Sequence, residues 1–169
     1  MHVLVHNFMH TCPLWINHFF NGTFYVLQIT LLSLLFIYVL ILLGPSFYRR
    51  KINYLFLIPT FIYLILTIIN LFPSTPIIFY FDGDLYCHNP LFLSYYGIVL
   101  YYLVLIGVFA GIFHKKLGKK QLFAIYISIT FIIAGIVLQI AYIETLLTGI
   151  TTVAALYFIE NNISNPDDL

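Results

Sequence analysis

Few side chains in this sequence can do chemistry, and most of them sit at the ends of long apolar runs. The densest group lies in Phe79-Tyr80-Phe81-Asp82-Gly83-Asp84-Leu85-Tyr86-Cys87-His88-Asn89-Pro90. Here Asp82, Asp84, Tyr86 and His88 bring carboxylates, a phenol and an imidazole into one short loop, a set suited to hydrogen-bonding a polar ligand. Gln139 is a lone amide near the end of another apolar run, placed to bond across helices for roughly 0.6–2 kcal/mol or to meet a ligand. His2, His6 and His10 recur every four residues and would share one face of a helix. With Cys12, His18, Cys87 and His88 they could gather round a metal, but the spacing matches no zinc signature. No metal or other cofactor is assigned. Cys12 and Cys87 could pair, though two cysteines do not establish a disulfide framework. There is no G-x-S-x-G, no H-E-x-x-H and no phosphate loop, so no catalytic residue is assigned and the chain does not read as an enzyme.

The elements that must hold these residues are membrane helices. Of 169 residues, 62% are hydrophobic and 8% are charged. A soluble domain carries roughly 25% charged residues, and a third of that cannot cover a surface in water. Backbone polar groups in hydrocarbon must be satisfied internally, which leaves helices or a closed barrel. The apolar runs are about twenty residues long, the length of a spanning helix. They predict an all-α integral membrane bundle of about five spans, over 24–43, 52–72, 92–113, 121–142 and 145–159. Residues 1–23 form an N-terminal segment ahead of the bundle, and 161–169 a short linker after it. Gly44-Pro45 closes the first span, Pro59 should kink the second, and Pro73 follows its end. The last span is the short one: its length gives about 23 Å of helix against a hydrocarbon core of roughly 30 Å.

All seven Lys and Arg fall in two runs, Arg49-Arg50-Lys51 and Lys115-Lys116 with Lys119-Lys120. The positive-inside rule places both runs in the cytoplasm. The N-terminus and the loop 73–91 then lie outside, and the C-terminus inside, in a multi-pass protein of the cell membrane. Tyr80, Tyr86, Tyr95 and Tyr96 would form an outer aromatic belt, with Tyr48 and Tyr54 at the inner surface. Two small basic runs are not a nucleic-acid face, so the bilayer is the expected partner and nucleic acid is not.

Small residues mark where helices should approach closely. Gly107 and Gly111 form a G-x-x-x-G in the third span. Gly135 sits in the fourth, and Gly149 in a Thr- and Ala-rich fifth span whose small face should turn towards the bundle. No Asp, Glu, Lys or Arg falls mid-span, which weighs against a pump or an ion-coupled transporter.

The order of these features resembles the membrane-embedded sensory region that precedes GGDEF (diguanylate cyclase) domains in Gram-positive bacteria. The likeness runs from about His18 to Leu169. It rests on the aromatic stretch His18-Phe19-Phe20-Asn21-Gly22-Thr23-Phe24-Tyr25, on the loop Phe79 to Phe92, which is similar to F-x-x-D…Y-x-R-G-P-x-F, on Ala134-Gly135-Ile136-Val137-Leu138-Gln139, and on the tail Ile159 to Leu169. His88-Asn89 stands where that family has Arg-Gly, and Thr148-Gly149 where it has Trp-Pro. The resemblance implies a sensory or anchoring module that regulates a cytoplasmic diguanylate cyclase output domain, with helix-mediated homodimerisation. It also implies that this chain stops where the catalytic domain would begin and makes no cyclic di-GMP by itself. A small stand-alone transporter or channel subunit, or the sensor of a histidine kinase, are the alternative expectations.

Overall fold

The computed structural model describes residues 13–72, 76–82, 85–141 and 147–163. Helix α1 (Leu14–Leu42) is the axis of the bundle. Half of its most apolar window is buried within the chain, against a third or less for the other long helices. It ends at Gly44, whose φ of 104° lies where only glycine is comfortable. The short helices α2 (Pro45–Tyr48) and α3 (Lys51–Tyr54) follow, then a 3-10 turn over Leu55–Leu57 and helix α4 (Ile58–Asn70). Strands β1 (Phe79–Asp82) and β2 (Leu85–His88) pair antiparallel, with Phe79 opposite His88 and Tyr80 opposite Cys87. Helices α5 (Phe92–Ile112), α6 (Lys119–Ala141) and α7 (Leu147–Ile163) complete the chain. Among the described residues, four segments are long and apolar enough to cross a membrane: His18–Leu42, Lys51–Asn70, Phe92–Ile112 and Lys119–Gln139.

Side-chain pairings fix the helix directions. Tyr25 meets Tyr95 and Phe36 meets Phe109, so α1 and α5 run parallel. Thr60 is bonded to Tyr102 and Tyr63 lies against Tyr95, so α4 runs against them. The Ser128 hydroxyl donates to the Ala155 carbonyl, and Gly135 lies beside Thr151, so α6 and α7 are antiparallel.

Several boundaries differ from the sequence reading. The first helix begins at Leu14, within the segment assigned to 1–23, and its His18 is buried, only 3% exposed. Pro59 does not kink a continuous helix. It stands in the first turn of α4, after the 3-10 turn, where its missing N–H costs nothing. The tyrosine hydroxyls of α5 complete this repair, since Tyr101 and Tyr102 both donate to the Phe56 carbonyl, at 3.3 and 3.2 Å. The loop 73–91 contains a hairpin. The last helix continues to Ile163, through Glu160, Asn161 and Asn162, and so takes in the first residues of the linker assigned to 161–169.

The glycines differ in how tightly they are held. A Cβ on Gly107 would lie 3.8 Å from Ile129, and one on Gly111 would lie 3.4 Å from the Tyr126 hydroxyl, both ordinary contacts with α6 of the same chain. A Cβ on Gly135 would fall 2.9 Å from the Cβ and Cγ2 of Thr151, and closer still to its hydroxyl. Thr is β-branched and has few rotamers with which to retreat. The surroundings of Gly149 lie outside the described residues. Gly135→Ala should therefore lower stability by roughly 1–3 kcal/mol through overpacking. Gly97→Ala, with nothing within 4 Å, should be neutral or slightly stabilising. Thermal unfolding of the two variants in detergent checks the contrast.

Candidate functional site

The hairpin packs onto the end of the bundle where α1 and α5 begin and α4 finishes. Asn70, the last residue of α4, is completely buried. Its Oδ1 accepts from the backbone N–H groups of Ile77, Ile78 and Phe79 at 2.7, 2.6 and 3.3 Å. Its Nδ2 donates to the Phe79 carbonyl at 3.2 Å. One carboxamide thus stands in for the strand partner that this stretch of backbone lacks. Asn89 closes the other side: its N–H donates to the Ile78 carbonyl at 2.9 Å, and its amide to the Pro76 carbonyl.

The clamp delivers Ile78 and Phe79, both fully buried, into an aromatic nest. Phe79 stacks on His18 at 5.4 Å and meets Tyr25 at 5.8 Å. Tyr25 in turn packs edge-on to Phe92 at 6.0 Å and to Tyr95 at 5.1 Å. His18 also lies within hydrogen-bonding reach of the Asn70 backbone. Tyr95, expected in an outer aromatic belt, is instead wholly buried in this nest.

The sequence-derived site residues separate into two groups. His88 is exposed and lies on Phe92, ring to ring, at 3.7 Å. Phe92 meets Tyr96 at 5.5 Å, and the buried Gln139 of α6 is close enough to Tyr96 to act on its hydroxyl. His88 and Gln139 are therefore ends of one connected path. Asp82 closes β1 opposite Leu85, and Tyr86 lies opposite Phe81 in β2; only their backbone is described. Asp84 lies outside the described residues, as do His2, His6, His10 and Cys12. Cys87 is a free thiol.

Motif reasoning missed Asn70, and it named His18 and Tyr25 without placing them in this nest. A polar residue at the end of an apolar run, just before a loop with Pro73 and Pro76, was the available signal. The hairpin had a stronger one, Asp82-Gly83 between two aromatic-rich runs. The chain matches no family model, no curated protein and no solved structure.

Partial withdrawal from water holds the His88 imidazole below the ordinary histidine range. Its folded pKa lies below the unfolded one, so as pH falls the unfolded chain takes up the proton first. Acid then weakens hairpin docking, and nothing is gained above the ordinary value of about 6.5. An NMR titration should give a midpoint below that value, returning towards it in Phe92→Ala. Removing the clamp should be more severe. Asn70→Ala orphans backbone donors at a cost on the order of 1–3 kcal/mol each. Hydrogen exchange over residues 76–89 should accelerate while the centre of α1 stays protected.

Proposed function

We propose that this chain is a sensory and anchoring module of the cell membrane. It makes five passes, with the hairpin outside and the far end of α7 in the cytoplasm. The alternating helix directions and the basic residues gathered at one end support this orientation. The hairpin is the receiving element, and α7 hands its position to a cytoplasmic output domain, a diguanylate cyclase domain on the resemblance of the loop and tail. A homodimer, which the same resemblance implies, would use a face other than Gly107 and Gly111, since those pack against α6.

The observation that carries this reading is the unbroken path from hairpin to last helix. His88 lies on Phe92, Phe92 on Tyr96, and Tyr96 lies near Gln139 of α6, which is interlocked with α7. A contact path alone is not coupling; coupling needs an element with two arrangements that both ends bias. The test is therefore functional. With a diguanylate cyclase domain fused after Leu169, Asn70→Ala and Gln139→Leu should each shift cyclic di-GMP output several-fold. The double variant should depart from additivity. Unchanged output from both, with insertion intact, would reduce the chain to an anchor. Orientation is checked separately, in a Cys12→Ser background. A membrane-impermeant maleimide should label Cys87 in intact cells, and a Gly118→Cys variant only after permeabilisation.

A further inference from the structure

The two basic runs are far apart in sequence, but the fold joins them round a single ring. Phe47, in α2 of the first loop, is buried against Phe113 of the second at 4.6 Å. The Lys116 ammonium lies 4.5 Å from the centre of the same Phe47 ring, and the Arg50 guanidinium 5.5 Å from it. The loops are held in shape. Asn53 Nδ2 donates to the Phe47 carbonyl at 2.7 Å, Leu117 is buried, and His114 Nδ1 lies 2.9 Å from the Gly111 carbonyl. At the start of α6 the Gln121 side chain accepts from the Gly118 N–H at 2.9 Å.

Among the described residues, Arg49, Arg50, Lys51, Lys115, Lys116 and Lys119 have no acidic partner. Glu160, the acidic residue described at this end, acts on Tyr38. Lys119 occupies the first turn of α6, where the helix dipole is already positive, and that turn holds no acidic residue. Like charges held together at the positive end of a helix call for an anion. The surface beside them says which kind. Tyr48, Ile52, Tyr54 and Leu55 are all exposed. A cationic rim above exposed apolar side chains matches a headgroup with acyl chains below it, not a free ion.

We infer that the Phe47 cluster is a binding site for an anionic phospholipid. The headgroup phosphate bridges Arg50 of the first loop and Lys116 of the second, with Arg49, Lys51, Lys115 and Lys119 around it. The acyl chains lie along Ile52 and Leu55. This site is independent of the sensory reading and requires only that the chain is embedded in a bilayer. Bound lipid would tie the two loops together and so set the spacing of α1 and α5 at this end.

The test uses the purified full chain in detergent, where membrane orientation plays no part. Phosphatidylglycerol, phosphatidylcholine and inorganic phosphate are added separately. Thermal unfolding and native mass spectrometry then report stabilisation and bound lipid. Phosphatidylglycerol should raise the unfolding midpoint and remain bound, and the other two should do neither. Its affinity should fall about tenfold or more in the Arg50→Gln, Lys116→Gln variant. High salt should weaken it in the unaltered protein, a measurement that needs no variant to fold. Equal stabilisation by phosphatidylcholine, or a double variant that binds like the parent, overturns the proposal. Stabilisation by inorganic phosphate matching that of the lipid overturns it in favour of a free-anion site.

Discussion

The carboxamide of Asn70 is the point on which one end of this molecule depends. Backbone that leaves a helix near the membrane loses its intrahelical partners and has little water to replace them. The chain must turn back from α4 to α5 at this place. It does so by presenting three successive N–H groups to one side-chain oxygen. With those donors satisfied, Ile78 and Phe79 can be buried without orphaning their backbone. The hairpin is thereby a packed part of the bundle. No apolar residue could take the place of Asn70, because the clamp needs an acceptor and a donor on the same planar group.

The same requirement is met by different means in the second span. A proline in a helix removes a donor and disturbs the carbonyls of the preceding turn. Here the chain relaxes into a 3-10 turn, and tyrosine hydroxyls from α5 reach the Phe56 carbonyl. Tyr102 bonds Thr60 as well, so this repair also sets the register of α4 against α5. Apolar side chains gain nothing by leaving lipid for one another, so hydrogen bonds and close packing must specify the arrangement. Tyrosine serves both needs. Its ring packs like a phenylalanine, and its hydroxyl finds the polar group that would otherwise be stranded.

Hydropathy made the four long helices legible, because a run of about twenty apolar residues has few other destinations. Where it erred, a polar or aromatic residue was read by its average behaviour. His18 looked like part of an outside segment, yet its stack on Phe79 brings it inside the bundle. Tyr95 looked like an interfacial anchor and is core. Gly107 and Gly111 read as a close-packing face, but their contacts are ordinary ones, and spacing within one helix cannot name the helix opposite. The clamp was the least legible feature. Asn70 and Ile77 are joined by a contact whose geometry arises only after α4 and the hairpin are placed, and no local periodicity encodes it. The sequence singled out Gln139 and His88 by type and position, and it did not single out the two rings that lie between them.

How a disturbance at the hairpin would travel depends on which interface yields. Helices α6 and α7 are keyed together: Thr151 fits against Gly135, and Ser128 is bonded to the Ala155 carbonyl. Sliding them past each other would drive a β-branched side chain into a backbone. The face between α5 and α6 has no such key along its middle. Gly107 and Gly111 present a smooth surface to Ile129 and Tyr126, with contacts at ordinary van der Waals separation. Tyr96 and Gln139 approach each other at one end of that face. A small shift there would cost little packing and would carry α6 and α7 together. The hairpin touches that end through His88 and Phe92, and the end of α7 lies at the far side of the bundle near Tyr38. The packing therefore places the soft interface between the element that could receive a signal and the helix that could deliver it.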